Sequence, residues 1–303
     1  MTTFSDLIEK TSRRLLSGVM EQTVQLVADY TAGESTITVS GGFSGAIQAG
    51  ARLSIDLEVF YVTSTTTSGG SIGVIGGYEG STQANHASGA QVHINPRFSK
   101  FDIGVAINDD LLDLSSPMNG LGQIGGVDVT YIPAYAGYDL GSGFDGLSSK
   151  VLEVSWKTVP PTRTFPLMRR GQWRVIRNQS DTSAFPSGNG IIVYDSAQPG
   201  FPIRVQYLSP FAPLVNLTDD VTAVAGLSNT AVDIPPLGAA IQLMQPREIK
   251  RNFFESQPDP RKAPEIPPNS VANSFAKLEQ QRQKRIDAEC DRIMRAYPEA
   301  EGF

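Results

Sequence analysis

"NPRFSKFDIGVAINDDLLDLS", Asn95 to Ser115, decides how this chain is to be read. Up to Pro96 the apolar residues alternate, as in half-buried strands. After it, Phe98, Phe101, Val105 and Leu112 recur at helical spacing, with Ser99 placed as an N-cap. Gly104 weakens the helix without abolishing it. A helix at this point separates two β-rich regions. The chain is therefore an alternation of helices and β units rather than a string of β modules.

Upstream, "STITVS", "RLSIDLEVFYVTS" and "AQVHI" are rich in β-branched and aromatic residues and are parted by Gly and Ser clusters. Residues 22–95 read as a small all-β unit. Ahead of it, "TTFSDLIEKTSRRLLSG" has Phe4, Leu7, Ile8, Thr11 and Leu15 on one helical face. Thr3 and Asp6 are spaced as a capping box, and Gly18 is placed to terminate the helix. Downstream, "VDVTYI", "KVLEVSW", "GQWRVIR", "GIIVYDS" and "PIRVQYL" recur at sandwich-like intervals within residues 127–217. "PPLGAAIQLM" opens a third helix with Pro in its first turn.

The last 57 residues differ in kind. They hold 11 Lys and Arg and 10 Asp and Glu, so they are densely charged and nearly neutral, while the first 246 residues carry −7. "ESQPDPRKAPEIPPN" reads as an extended Pro-rich linker. The helix after it carries a narrow apolar stripe of Phe275, Leu278, Ile286, Cys290, Ile293 and Tyr297, interrupted by Arg282. Such a helix must bury its stripe either on its own body or on a neighbouring chain.

The expected class is α+β. A helical bundle is assembled from residues 1–21 (first helix), 96–126 (second helix and loop) and 218–254 (third helix region). Two all-β units, barrel- or sandwich-like, are inserted at 22–95 and 127–217. A linker at 255–269 leads to a C-terminal amphipathic helix within 270–303.

Composition excludes several functions. A net charge of −6 does not suit a polybasic nucleic-acid binder. Cys290 is the single cysteine, so neither an intrachain disulfide nor a thiolate metal cluster can form. The polar start has no signal-like apolar core, and no apolar run approaches the roughly 20 residues that span a bilayer.

The two histidines, His86 and His93, lie seven residues apart in "GGYEGSTQANHASGAQVHINPRF". Gly80 to Pro96 contains no Asp, Glu or Cys, which argues against a metal site or an oriented base. His86 is expected to bond backbone groups in its turn and His93 to face outward. "GSGFDG", Gly141 to Gly146, matches a phosphate-loop pattern but leads into a strand, so it reads as a plain loop. Asp109, Asp110 and Asp113 read as a solvated helix face. "KTVPPTRTFPLMRRGQWR" gathers Lys157, Arg163, Arg169, Arg170 and Arg174 around Trp156, Phe165 and Trp173. It reads as a basic rim facing another subunit, with sugar or nucleic-acid binding as the alternative.

Several segments resemble head-to-tail connector (adaptor) proteins of long-tailed phages, especially those of actinobacterial hosts. They are "INDDLLDLSSPMNGL", "FPSGNGIIVYDSAQPGFPIRVQYLSPFAPL", "DIPPLGAAIQLM" and "REIKRNFFESQPDPRKAPEIPPNSVANSFAKLEQQRQKRIDAECDRIMRAYP", in that order. "GGYEGSTQANHASGAQVHINPRF" resembles an element of small β modules in tailed-phage virion proteins. The resemblance implies a structural virion protein of the neck, made in the host cytoplasm. It implies a homo-oligomeric ring, commonly twelve-fold, between the portal and the stopper or tail-completion proteins, with genomic DNA passing through the lumen. It implies no catalytic residue, cofactor, metal or membrane contact. The expected contact residues are Phe275, Leu278, Ile286, Ile293 and Tyr297, with Trp156, Arg169, Arg170 and Trp173 on the second β unit. The rival readings are another phage tail or baseplate component, a glycan-binding module and, less favoured, a cell-wall hydrolase.

Overall fold

The computed structural model describes residues 2–16, 21–40, 47–65, 70–135, 137–156, 166–181, 183–194, 200–255 and 270–298. The protein is mixed α+β, with antiparallel sheets. Helix α1 spans Phe4–Leu16. Its capping box is present: Thr3 N donates to Asp6 Oδ2 at 2.8 Å and Asp6 N to Thr3 Oγ1 at 3.3 Å. Gly18, its expected terminator, lies outside the described residues.

The next six strands are β1 (Thr23–Gln25), β2 (Thr36–Thr38), β3 (Arg52–Ile55), β4 (Glu58–Thr65), β5 (Ser71–Ile75) and β6 (Gln91–Ile94). They form one sheet in the order β1-β6-β3-β4-β5-β2. The run "RLSIDLEVFYVTS" is two strands, because Asp56 takes a positive φ of 50° and turns the chain. The sheet curls until its edges meet: Leu26 bridges Val39, and Val27 N donates to Thr38 O at 2.8 Å. Curling encloses a core of its own, including Leu53, Ile55, Phe60, Val62 and Val92.

Helix α2 spans Lys100–Leu114, capped by Ser99 in a reciprocal box with Asp102. Its buried face is Ile103, Ala106, Ile107, Leu111 and Leu114. The stripe expected from spacing lies on the other side of the helix, where Val105 is 43% and Leu112 68% exposed. Both stripes have helical period. The buried one has five apolar members spaced three and four apart, and the denser stripe takes the core.

Six further strands follow: β7 (Gln123–Thr130), β8 (Tyr138–Asp139), β9 (Lys150–Trp156), β10 (Trp173–Ile176), β11 (Gly190–Val193) and β12 (Pro202–Ser209). They make two three-stranded antiparallel sheets, β7-β12-β9 and β10-β11-β8, with a core between them that includes Phe144, Val154, Trp173, Ile191 and Val205. The register of β9 on β12 skips Leu152, passing from Gln206–Glu153 to Tyr207–Val151. The bulge lets Val151 face the strand core while Leu152 points into the helices' cluster.

Helices α3 (Pro235–Glu255) and α4 (Ser270–Ala296) complete the chain. α1, α2, α3 and α4 share one apolar cluster, joined by Leu152, Leu208, Phe211 and Leu214. At Gly238 α3 lies against α2, and a Cβ there would sit 1.6 Å from Asp110 Oδ1. Only glycine fits there.

Candidate interaction site

The stripe on α4 divides in two. Ile286 (1% exposed) and Ile293 (5%) are buried in the helices' cluster of the same chain, and Cys290 and Tyr297 pack against it. Phe275 and Leu278, about two to three turns earlier, stay half-exposed and outside that cluster. Of the two docking modes open from the sequence, the C-terminal half of the helix docks on its own body. The linker expected at 255–269 lies, beyond Glu255, outside the described residues.

Arg282, which interrupts the stripe, is what fastens α4 to α2. It donates to Asp110 Oδ1 at 2.7 Å and to Asp113 Oδ2 at 2.5 Å. Arg285 makes a two-pronged pair with Asp233, at 2.8 and 2.9 Å, and reaches Thr230 O at 2.7 Å. Glu289, also buried, accepts from Thr230 Oγ1 at 3.0 Å and Arg292 Nε at 2.8 Å.

Reading Asp109, Asp110 and Asp113 as a solvated face is therefore corrected for Asp110. It is 6% exposed, and burial pushes its carboxyl up to about 7, with Arg282 pulling the other way. The partner that makes this burial tolerable is 172 residues away, beyond the reach of local spacing.

On the second β region, Arg169, Arg170 and Arg174 are at the surface, but the aromatics beside them face inward. Trp173 is part of the strand core, and Trp156 stands edge-on to Tyr131 at 5.5 Å. An aromatic platform with basic flanks is not what these residues build. Lys157, Arg163 and Phe165 lie outside the described residues.

The histidine reading also needs correction. His86 faces two carboxylates from the β3–β4 turn: its Nε2 is 2.9 Å from Glu58 Oε2 and its Nδ1 is 3.8 Å from Asp56 Oδ2. Glu58 is fully buried and accepts from Gly77 N and Ala84 N as well. The ring thus meets carboxylates instead of the backbone groups of its turn, while the backbone of His86 pairs with that of Tyr30 in both directions. His93 is half-buried, with Nδ1 3.5 Å from Glu21 Oε2, instead of outward-facing. Gly80–Pro96 holds no acid, but the fold brings Glu58 and Asp56 to His86 from 28 and 30 residues upstream. A base closed in by Glu58, Tyr30 and Phe60 offers substrate no approach.

"GSGFDG" is a loop running into β9, with Phe144 in the strand core and Asp145 bonding Ser148 N. Among the described residues no group of three or more His, Cys, Asp or Glu is placed to hold a metal ion, and no helix is long and apolar enough to cross a membrane. A groove of about 310 Å³ lies between α2 and α3, lined by Phe98, Phe101, Val105 and Leu243 among others. No protein-family model matches the chain. No curated protein matches it.

Proposed function

We propose that the protein is a structural component of a phage neck, a head-to-tail connector whose helices form a ring-building bundle carrying two β units as insertions. The observation that supports this reading most is the division of the α4 stripe. Its C-terminal half is consumed by the chain's own core, and its N-terminal half presents Phe275 and Leu278 beside the end of a Pro-rich linker. That suits a contact with a neighbouring subunit or with the portal. Burying two large apolar side chains is worth roughly 3–6 kcal/mol before ordering costs, enough to matter in a repeated ring contact. A body of net charge −7 also suits a lumen that must not hold passing DNA. On this reading the protein performs no catalysis.

The test is the double variant Phe275→Ser and Leu278→Ser, which spares Ile286 and Ile293 and so keeps the fold. Particles assembled with it are expected to fill with DNA and remain tailless. Normally tailed, infectious particles would count against the proposal. Cutting the chain before α4 is a poorer test, because it strips Ile286 and Ile293 from the core.

A further inference from the structure

β7 is an edge strand of its sheet, and it lacks the devices that usually guard an edge. It runs for eight residues, pairs with β12 without a break from Gln123 to Thr130, and contains neither proline nor lysine. Sheets blunt a free edge with a bulge, a proline, a charge or a covering segment, because unpaired N–H and C=O groups invite another strand. The opposite edge of the same sheet has two of these. β9 is bulged where it skips Leu152. It is also covered: Ser155 bridges Leu167, Trp156 N donates to Pro166 O at 3.0 Å and Met168 N to Val154 O at 2.9 Å. Among the described residues, no backbone group pairs with the outer side of β7.

The direction of each backbone group along β7 follows from its end. Tyr131, the residue after the strand, turns both groups to the β12 side: its N donates to Phe201 O at 2.9 Å, and its O accepts from Gly200 N at 3.0 Å. Alternation then points the N–H and C=O of Val129, Val127 and Gly125 the same way, and those of Thr130, Asp128, Gly126 and Ile124 outward. Pro202 agrees, since it stands opposite Thr130 and has no N–H to give. The side chains alternate as well. Ile124, Gly126, Asp128 and Thr130 are exposed, while Val127 and Val129 pack on the strand core but stay half-buried. The core is open to extension along this edge.

We propose that β7 is a docking edge for the β7 strand of a second copy of this chain, running antiparallel about a two-fold axis at Val127. In this register the strand is complementary to itself. Ile124 meets Thr130 and Gly126 meets Asp128, so every outward backbone group of β7 finds a partner across the axis. Centring the axis on Gly126 would leave Thr130 without a mate in the strand and set Asp128 against Ile124. On the core side Val127 meets its own mate, and the second copy's Val129 lies beside Gly125, where no side chain stands in the way. On the outer face Asp128 meets a glycine rather than a carboxylate, and Arg204 holds it through bonds of 2.8 and 3.0 Å. The two sheets become one, in the order β9-β12-β7-β7-β12-β9. A two-fold contact closes on itself and does not propagate around a ring. The pairing therefore belongs to the free chain and stands or falls independently of the neck reading.

The test is sedimentation of the purified full chain over a range of concentrations, and a dimer is expected. Gly126→Pro removes an outward N–H without touching the β12 ladder, and a Cβ there meets nothing nearer than Val205 O at 3.6 Å. It is expected to weaken dimerisation at least about tenfold while the circular dichroism stays that of wild type. The double variant Phe275→Ser and Leu278→Ser is expected to remain dimeric. A chain that is monomeric at every concentration would overturn the proposal. So would a dimer that Gly126→Pro leaves intact or that the α4 variant dissolves. Should Gly126→Pro fail to fold, mild oxidation of Val127→Cys in a Cys290→Ser chain decides instead. Val127→Cys is expected to form a disulfide-linked dimer, and Val129→Cys, which does not face its own mate, is expected to form none. Any other pattern would overturn the proposal.

Discussion

Residues 22–95 bury their apolar side chains in a cluster of their own, whereas the β7-β12-β9 sheet sends Leu152 and Leu208 into the cluster that holds the helices. Among the described residues, the first β region meets the helices through ion pairs and one leucine, the second through shared core. Both look alike in sequence, as alternating runs between turns. The difference teaches that alternation reports a strand's two faces but not what the second face covers. In β9 a single skipped residue turns Leu152 to the helices.

The largest expected effect comes from excision. Replacing residues 22–95 by a short linker is expected to leave a cooperatively folded helical protein, read by circular dichroism and a sharp thermal transition. Replacing residues 127–209 is expected to leave none. Residues 127–217 expressed alone, though rich in strand, would expose Leu152 and Leu208 and are expected to aggregate or stay molten. If both excisions behave alike, the contrast between the two regions is wrong.

Next come single core positions. Leu152→Ala is expected to cost about 2–5 kcal/mol and to lower the helical and strand signals together. Leu53→Ala, of similar cost, is expected to loosen only the first β region, leaving amide protection in α2 and α3 unchanged. Leu111→Ala against Leu112→Ala sharpens the choice of face on α2, with about 2–5 kcal/mol for the first and under about 0.5 kcal/mol for the second.

Arg282→Ala is expected to cost about 3–5 kcal/mol at neutral pH, because it leaves Asp110 buried without its cation. The pH dependence follows from the raised carboxyl of Asp110. Folding favours its protonated form, so its contribution falls as the pH rises from about 4 towards 7. The loss in Arg282→Ala should therefore be smaller at about pH 5 than at about pH 8, and denaturant melts at the two pH values check it. The smallest effect is at the caps: Thr3→Ala and Ser99→Ala are each expected to cost about 1 kcal/mol, with Ser99 the larger because Arg52 also rests on it.

Local chemistry carried much of the fold. Thr3 with Asp6, Ser99, Pro235 and the turns around the strands mark element ends through bonds three residues long, and these are legible in a sequence. What was not legible lay in pairings across distance. Asp110 looked solvated until Arg282 arrived from α4, and His86 looked partnerless until β3–β4 delivered Asp56 and Glu58. Trp173 looked like a binding surface because its neighbours are arginines, yet its own strand turns it inward. Of the α4 stripe, period alone could place the residues on one face but could not divide it into a half buried in the chain's core and a half left partly exposed.

The measurement that bears most directly on the neck assignment is electron microscopy of intact particles carrying a gold-conjugated antibody against this chain. The account predicts label at the junction between the head and the tail, in particles that still hold DNA. Label at the tail tip, along the tail or on fibres, or no label on particles at all, would contradict it.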